Sequence, residues 1–212
     1  MGAIRWLAHT SHRVGLTRVG WSDRPDRGLV AYVEGPPPPV PGRALDLGCA
    51  IGRNTIYLAS RGWEATGVEI ATRDLDIAQR KAGEAGVALR FVPGDVTRLE
   101  ELDIGDGYEL LFDGGCLHMI PTHRRDAYAA GVTRVAAPGA VLILVGFAPL
   151  RVGGAGVSAD ELRSRLPGWD LIDAQPVPGE EMTETLPGAS PLRRRALLRG
   201  WLRATRYRLE RR

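Results

Sequence analysis

Lysine is almost missing from this chain: Lys81 is the only one, so nearly all of the positive charge falls to arginine. Cysteine is as scarce. Cys49 and Cys116 are too few for a disulfide framework, each lies in a glycine-rich stretch away from metal-type partners, and both are expected to be free thiols. No run approaches the ~20 consecutive apolar residues that a bilayer span needs, and Met1 to Gly20 lacks the apolar block of a secretory signal. A cytoplasmic protein with no membrane partner is the expectation. Internal repeats and metal-ligand clusters are also missing, and no bound metal is expected.

What is present suits one globular domain. The 212 residues are 44% hydrophobic and 25% charged, near the globular average, and are enough to bury one sizeable core. The net charge is +3, and arginines Arg193, Arg194, Arg195, Arg199, Arg203, Arg206, Arg208, Arg211 and Arg212 crowd the C-terminal end. Such a run can bind phosphates. No aromatic ladder interleaves it, so it reads as the solvated face of a last strand and its approach, and nucleic acid is not the expected partner.

From Arg43 onward, short apolar runs alternate with amphipathic segments, which predicts parallel strands joined by crossover helices. Strands are expected near 43–47, 65–69, 89–93, 108–113 and 140–146. Helices are expected from Arg53 to Arg61, closed by Gly62, from Thr72 to Ala85, and after Pro121. Ser158 and Glu161 form a capping box for a short helix to about Leu166, and Asp170 to Val177 reads as a strand. Ala204 to Arg211 sets Thr205, Tyr207 and Leu209 against Arg206, Arg208 and Glu210, the pattern of an edge-type strand. Pro178 to Pro191, rich in Pro, Gly and acids, reads as a long loop, either a lid or a disordered excursion. Two parts are expected: residues 1–42, a polar lead-in and stiff proline linker covering the site, and residues 43–212, the catalytic domain.

The segment Ala44 to Asn54 runs from a strand through a glycine-containing turn into a helix, a geometry that brings backbone close to a ligand. It is not a P-loop, because it ends Gly52-Arg53-Asn54 where Gly-Lys-Ser/Thr is required. Nor is it a dinucleotide fingerprint, since Ala50 and Arg53 fall at the second and third glycine positions. Asp46, Gly48, Ala50 and Gly52 instead form an acidic-x-Gly-x-small-x-Gly pattern. An acidic strand end and bare backbone suit a ligand that carries an ammonium and a sulfonium better than a lysine would.

At this loop the sequence resembles the class I S-adenosylmethionine-dependent methyltransferases, strongly over Arg43 to Pro149. The resemblance implies a Rossmann-like, doubly wound α/β fold, with a mostly parallel seven-stranded sheet and an antiparallel C-terminal strand. It also implies S-adenosylmethionine as cofactor, held by Asp46, Gly48, Cys49, Ala50, Gly52 and Asn54 at the loop. Glu69 and Ile70 would lie at the ribose, Asp95 and Val96 at the adenine, and Asp113 at the floor of the site. Ala50 departs from the family's usual glycine. The run Asp113 to Pro121 looks most like small bacterial enzymes of the thiopurine and tellurite-resistance type, which act on small nucleophiles.

Methyl transfer from a sulfonium needs alignment and dryness more than it needs a base. A small-molecule thiol is the favoured acceptor, because its pKa near 8.5 is within easy reach of ionisation, and O- or N-acceptors stay open. Trp21, Arg24, Cys116 and Phe147 are the candidate acceptor-facing residues, and His118 the candidate general base. Methylation of RNA or protein, and a non-methylating cofactor-binding protein, are the rival readings.

Overall fold

The computed structural model describes residues 22–149 and 156–212; Trp21 lies outside the described residues. Arg43–Leu47 forms β1 at the middle of a seven-stranded sheet, and every residue after Arg43 in it is buried. Neighbouring residues point into two different cores. Ala44 packs with Tyr57, Leu58 and Trp63 on one face, whereas Leu45 and Leu47 pack with Tyr128 and Val132 on the other. A strand covered on both faces is apolar at most positions, Asp46 being the exception in β1, which is why these runs do not alternate.

The chain passes through α1 (Arg27–Val33), β1, α2 (Arg53–Ser60), β2 (Glu64–Glu69), α3 (Thr72–Ala85), β3 (Arg90–Pro93) and β4 (Tyr108–Asp113). It continues through α4 (Arg125–Val135), β5 (Ala136–Phe147), α5 (Ala159–Arg165), β6 (Trp169–Val177), α6 (Gly179–Thr185), α7 (Pro191–Leu198) and β7 (Ala204–Arg211). The sheet order is β3-β2-β1-β4-β5-β7-β6, parallel from β3 to β5, with β7 antiparallel to both neighbours. The winding reverses between β1 and β4, so the loops leaving these two strands diverge and open a cleft at their carboxyl ends.

Three expectations need correction. β7 is not an edge strand: it is bonded on both sides, and β6 is the edge. Alternation reports which face a side chain takes, not a strand's place in the sheet. β5 starts at Ala136, four residues early, because Ala136 pairs with Tyr108 before an irregularity that Gly139 (φ +73°) accommodates. The segment from Pro178 to Pro191 is helical for much of its length. Met182 and Leu186 of this stretch join Val145, Val177, Ala189, Leu197 and Ala204 in a small core of its own. Among the described residues no helix is long and apolar enough to cross a membrane.

Candidate active site

The glycine loop after β1 is shaped by its backbone. Gly48, Ala50 and Gly52 have φ of 73°, 47° and 79°, so every second residue is left-handed. The amides of Gly48 and Cys49 both donate to the carbonyl of Val68 (2.8 and 3.0 Å), pinning the loop to β2. At Gly48 a Cβ would lie 2.8 Å from the Cys116 sulfur, so only glycine lets the two loops close on each other. Ala50 tolerates its strained conformation because its amide donates to Glu69 Oε2 (3.0 Å), while Glu69 Oε1 accepts from Ala71 (2.9 Å). Burial raises the Glu69 carboxyl, and these amides oppose the rise.

A methyl group at φ +47° costs what glycine avoids, which sets the outcome for Ala50→Gly. The variant is expected to be more stable by up to about 1 kcal/mol, measured by urea denaturation, with cofactor affinity within about tenfold of the parent. A hundredfold gain in affinity would show a decayed loop.

Asp46 lies wholly below the loop and accepts from the Thr55 hydroxyl (2.7 Å). Burial pushes its pKa up to about 7, opposed by Thr55 and Arg53, with Asp113 adding to the rise. Asp46, Gly48, Cys49, Ala50 and Asn54 line a small recess that shares Gly48, Ala50, Arg53 and Gly114 with a larger cleft of about 250 Å³. Glu69, the last residue of β2, and Asp74 line the larger cleft. His118, Phe147 at the end of β5, Met182, Leu186 and Arg193 line it too, so α6 and α7 contribute to its wall.

Asp113 has a different job from the one its position suggests. Both its oxygens are committed: one accepts from Gly115 and Cys116, the other from Leu117 (3.0 Å) and the Tyr128 hydroxyl (2.7 Å). It is fully buried and organises the loop instead of forming a floor. Asp95 likewise caps the 3-10 turn at Val96 through Thr97 and pairs with Arg124 (2.8 Å), outside the cleft lining. Ile70, Val96 and Gly52 also lie outside that lining. Arg24 is exposed, and its carbonyl accepts from buried Arg53 (2.8 Å).

His118 keeps its place at the acceptor end but not the strength expected of it. Its ring meets Phe147 edge-on, with centroids 5.2 Å apart, and its buried Nδ1 has no hydrogen-bond partner among the described residues. Burial, then Arg125 and Arg193, drive its pKa down to about 4. The imidazole is therefore neutral near pH 7, and a base this weak accepts a proton there with little driving force. Burial also raises the Cys116 thiol well above its usual range, so it is no nucleophile.

Residues 44–139 match the methyltransferase domain family. A 2-heptyl-1-hydroxyquinolin-4(1H)-one methyltransferase of Mycobacteroides abscessus is 33% identical over 144 residues, which is 65% of this chain and 63% of that relative. The match thus spans less than two thirds of the relative's length. Over residues 44–139 the chain is thus similar to the methyltransferase domain family. The fold agrees. The Burkholderia thailandensis 1,6-didemethyltoxoflavin-N1-methyltransferase, solved with its acceptor and S-adenosylhomocysteine, has a TM-score of 0.66 at 19% identity, covering 98% of this chain and 87% of that one. The cyclase SpnF also superposes, with a TM-score of 0.66 at 19% identity, covering 88% of this chain and 80% of that one. The methyltransferase fold alone therefore leaves the chemistry to the site.

Within this fold, sequence reading missed the groups that brace the cleft from afar. Asp26 caps α1, donates its amide to Asn54 Oδ1 (2.8 Å) and pairs with Arg206 (3.1 Å), which also pairs with Glu181 of α6 (2.5 Å). Arg125, 2% exposed, donates to the carbonyls of Ile120 (2.8 Å), Gly156 (2.7 Å) and His118 (3.2 Å) and to both Glu161 oxygens. A cap signal at Asp26 was readable; nothing local marks Arg125 or Arg206. No group of three or more His, Cys, Asp or Glu among the described residues is placed to hold a metal.

The two shifted groups have opposite consequences for stability. His118 has a folded pKa of about 4, below its ordinary 6.5, so the unfolded chain binds more protons between these values and stability is lost as pH falls through them. Asp46 has a folded pKa of about 7, above its ordinary 3.8, so stability is lost as pH rises from about 4 to 7. Compared with His118→Gln, the parent should weaken toward pH 4; compared with Asp46→Asn, it should weaken toward pH 7. Denaturant midpoints at four pH values check both, and parallel curves would refute the assigned burial.

Proposed function

We propose that this chain transfers the methyl group of S-adenosylmethionine to a small, flat nucleophile bound between Phe147 and the α6–α7 wall. The observation that carries the reading is one cleft whose lining joins the carboxylates of Glu69 and Asp74, near the carboxyl end of β2, to the apolar side chains of Phe147, Met182 and Leu186. The residues fit the cofactor. Carboxylates of Glu69, Asp74 and Asp46 suit a molecule bearing two cationic centres, and the Gly48 approach leaves room that a Cβ would fill.

On this reading Glu69 accepts from the ribose hydroxyls. The recess at Asp46, Gly48 and Asn54 takes the methionine end, beside the buried Arg53 guanidinium. Arg24 and Asp26 anchor the segment that leads into α1 to Arg53 and Asn54 of α2. When bound, the cofactor supplies an electrophilic carbon on a sulfonium. The protein's part is to hold the acceptor atom in line with that carbon and exclude water. A bond from the acceptor to the methyl carbon forms as the carbon–sulfur bond breaks, and that electron pair stays on sulfur. Neutral His118 lines the cleft beside Phe147 without supplying a base.

Incubation with methyl-labelled S-adenosylmethionine and a panel of 1-hydroxyquinolin-4(1H)-one, thiophenol, phenol and bulk RNA tests the reading. Label should enter at least one small molecule and not RNA. Label in RNA alone, or in nothing while the cofactor binds, would contradict it.

A further inference from the structure

Arg193 sits where a surface arginine has no reason to be. Its neighbours on α7, Arg194 and Arg195, are exposed, whereas Arg193 is half-buried and turned into the cleft. Its guanidinium carbon lies 5.7 Å from the centre of the Phe147 ring. Burial lowers its pKa with no opposing carboxylate, and among the described residues it forms no ion pair. The undescribed residues, 1–21 and 150–155, contain no Asp or Glu that could supply one. Two arginines of the interior differ. Arg206 faces Asp26 and Glu181, and Arg125 faces Glu161.

A partly desolvated cation without a counter-ion is costly unless a ligand provides the anion. The carboxylates that line the same cleft form no ion pair with Arg193: Glu69 accepts from the amides of Ala50 and Ala71, and Asp26 is already paired with Arg206. Beside Arg193 are the Phe147 ring, the buried Nδ1 of His118 and the apolar side chains of Met182 and Leu186. A planar guanidinium over an aromatic ring matches a flat, delocalised anion.

We infer that the acceptor is a planar aromatic or heteroaromatic molecule that binds as its anion, with Arg193 as the counter-ion that selects it. This rests on the methyltransferase reading and narrows its acceptor class. The acceptor's proton leaves to solvent before binding, so no protein base is needed. The ionised atom then gains the methyl carbon while sulfur keeps the bonding pair of the broken bond. A cation and an anion become two neutral products, a change that a dry cleft favours.

The test uses a matched pair of probes, 2-naphthoate and 2-naphthamide, titrated calorimetrically with and without saturating S-adenosylhomocysteine. The parent should bind the naphthoate roughly tenfold or more tightly than the amide, as a charge-assisted contact would give. Arg193→Met should remove the preference and leave amide binding and S-adenosylhomocysteine affinity within about twofold. Arg193→Lys should keep part of the preference, and Arg194→Met all of it. Equal or absent binding of the pair by the parent, or a preference that survives Arg193→Met, would overturn the inference. So would a loss of S-adenosylhomocysteine affinity in that variant, which would mean that Arg193 holds the cofactor. If the parent fails to bind S-adenosylhomocysteine at all, it is the methyltransferase reading that falls.

Discussion

Arg125→Ala is expected to lower the unfolding free energy by about 3–5 kcal/mol, the range for breaking a buried, hydrogen-bonded ion pair. The reason is the number of groups it leaves stranded. Its guanidinium satisfies the carbonyls of His118, Ile120 and Gly156 together with the Glu161 carboxylate, and an alanine offers none of them a donor. Glu161 would keep only Arg165 (2.9 Å). Because stability totals only about 5–15 kcal/mol for domains, the variant should be largely unfolded at moderate urea concentrations. Arg125→Lys should recover little, since one ammonium cannot reproduce a fork that reaches three carbonyls and a carboxylate. Denaturation midpoints check both variants. A loss below about 1 kcal/mol for Arg125→Ala would mean that the network relaxes around water instead of bracing the His118 loop.

The second large effect falls on ligand affinity. Glu69→Ala should weaken S-adenosylhomocysteine binding by about 1.5–3 kcal/mol, roughly ten- to a hundredfold, through loss of charge-assisted hydrogen bonds to the ribose. The structure adds a second cause. The same carboxylate holds the amides of Ala50 and Ala71, so the variant also releases a strained loop residue from its only constraint of this kind. Glu69→Gln, which keeps one carbonyl acceptor, should fall between. If the deficit came only from loop disorder, Ala50→Gly added to Glu69→Ala would restore most of the affinity; if it came from the ribose, the double variant would stay weak. Titration calorimetry on the four proteins separates the two.

Much of this architecture was legible because it rests on local and periodic signals. The switch from apolar runs to amphipathic segments marked every strand and most helices. Gly48, Gly52 and the acid at Asp46 marked the turn, because left-handed backbone and close approach restrict the residue type. Where the structure adds what the sequence does not show, the deciding partner lies far away in sequence. Asp113 has the position of a floor residue, but Tyr128 and three loop amides claim its oxygens. Asp95 is taken by Arg124 in the same way. His118 titrates as a surface histidine only if its surroundings are ignored: burial lowers its pKa first, and the nearby charges of Arg125 and Arg193 lower it further.

The stretch after β6 was misread for a different reason. Its Pro, Gly and acid content suggests a loop, yet Glu180 and Glu181 fall in the first turn of α6, and Ser190 with Pro191 opens α7, which are ordinary helix starts. Met182 and Leu186 then fix α6 against Val145 and Ala204. This wall brings Arg193 out of what reads as a solvent-facing arginine run and into the cleft.

Titration of S-adenosylhomocysteine into the purified protein near pH 7 tests most directly whether this cleft is a methyltransferase cofactor site. The expected result is saturable one-to-one binding with a dissociation constant in the micromolar range, weakened at least tenfold in Glu69→Ala. No binding at millimolar ligand, or binding that Glu69→Ala leaves unchanged, would contradict it.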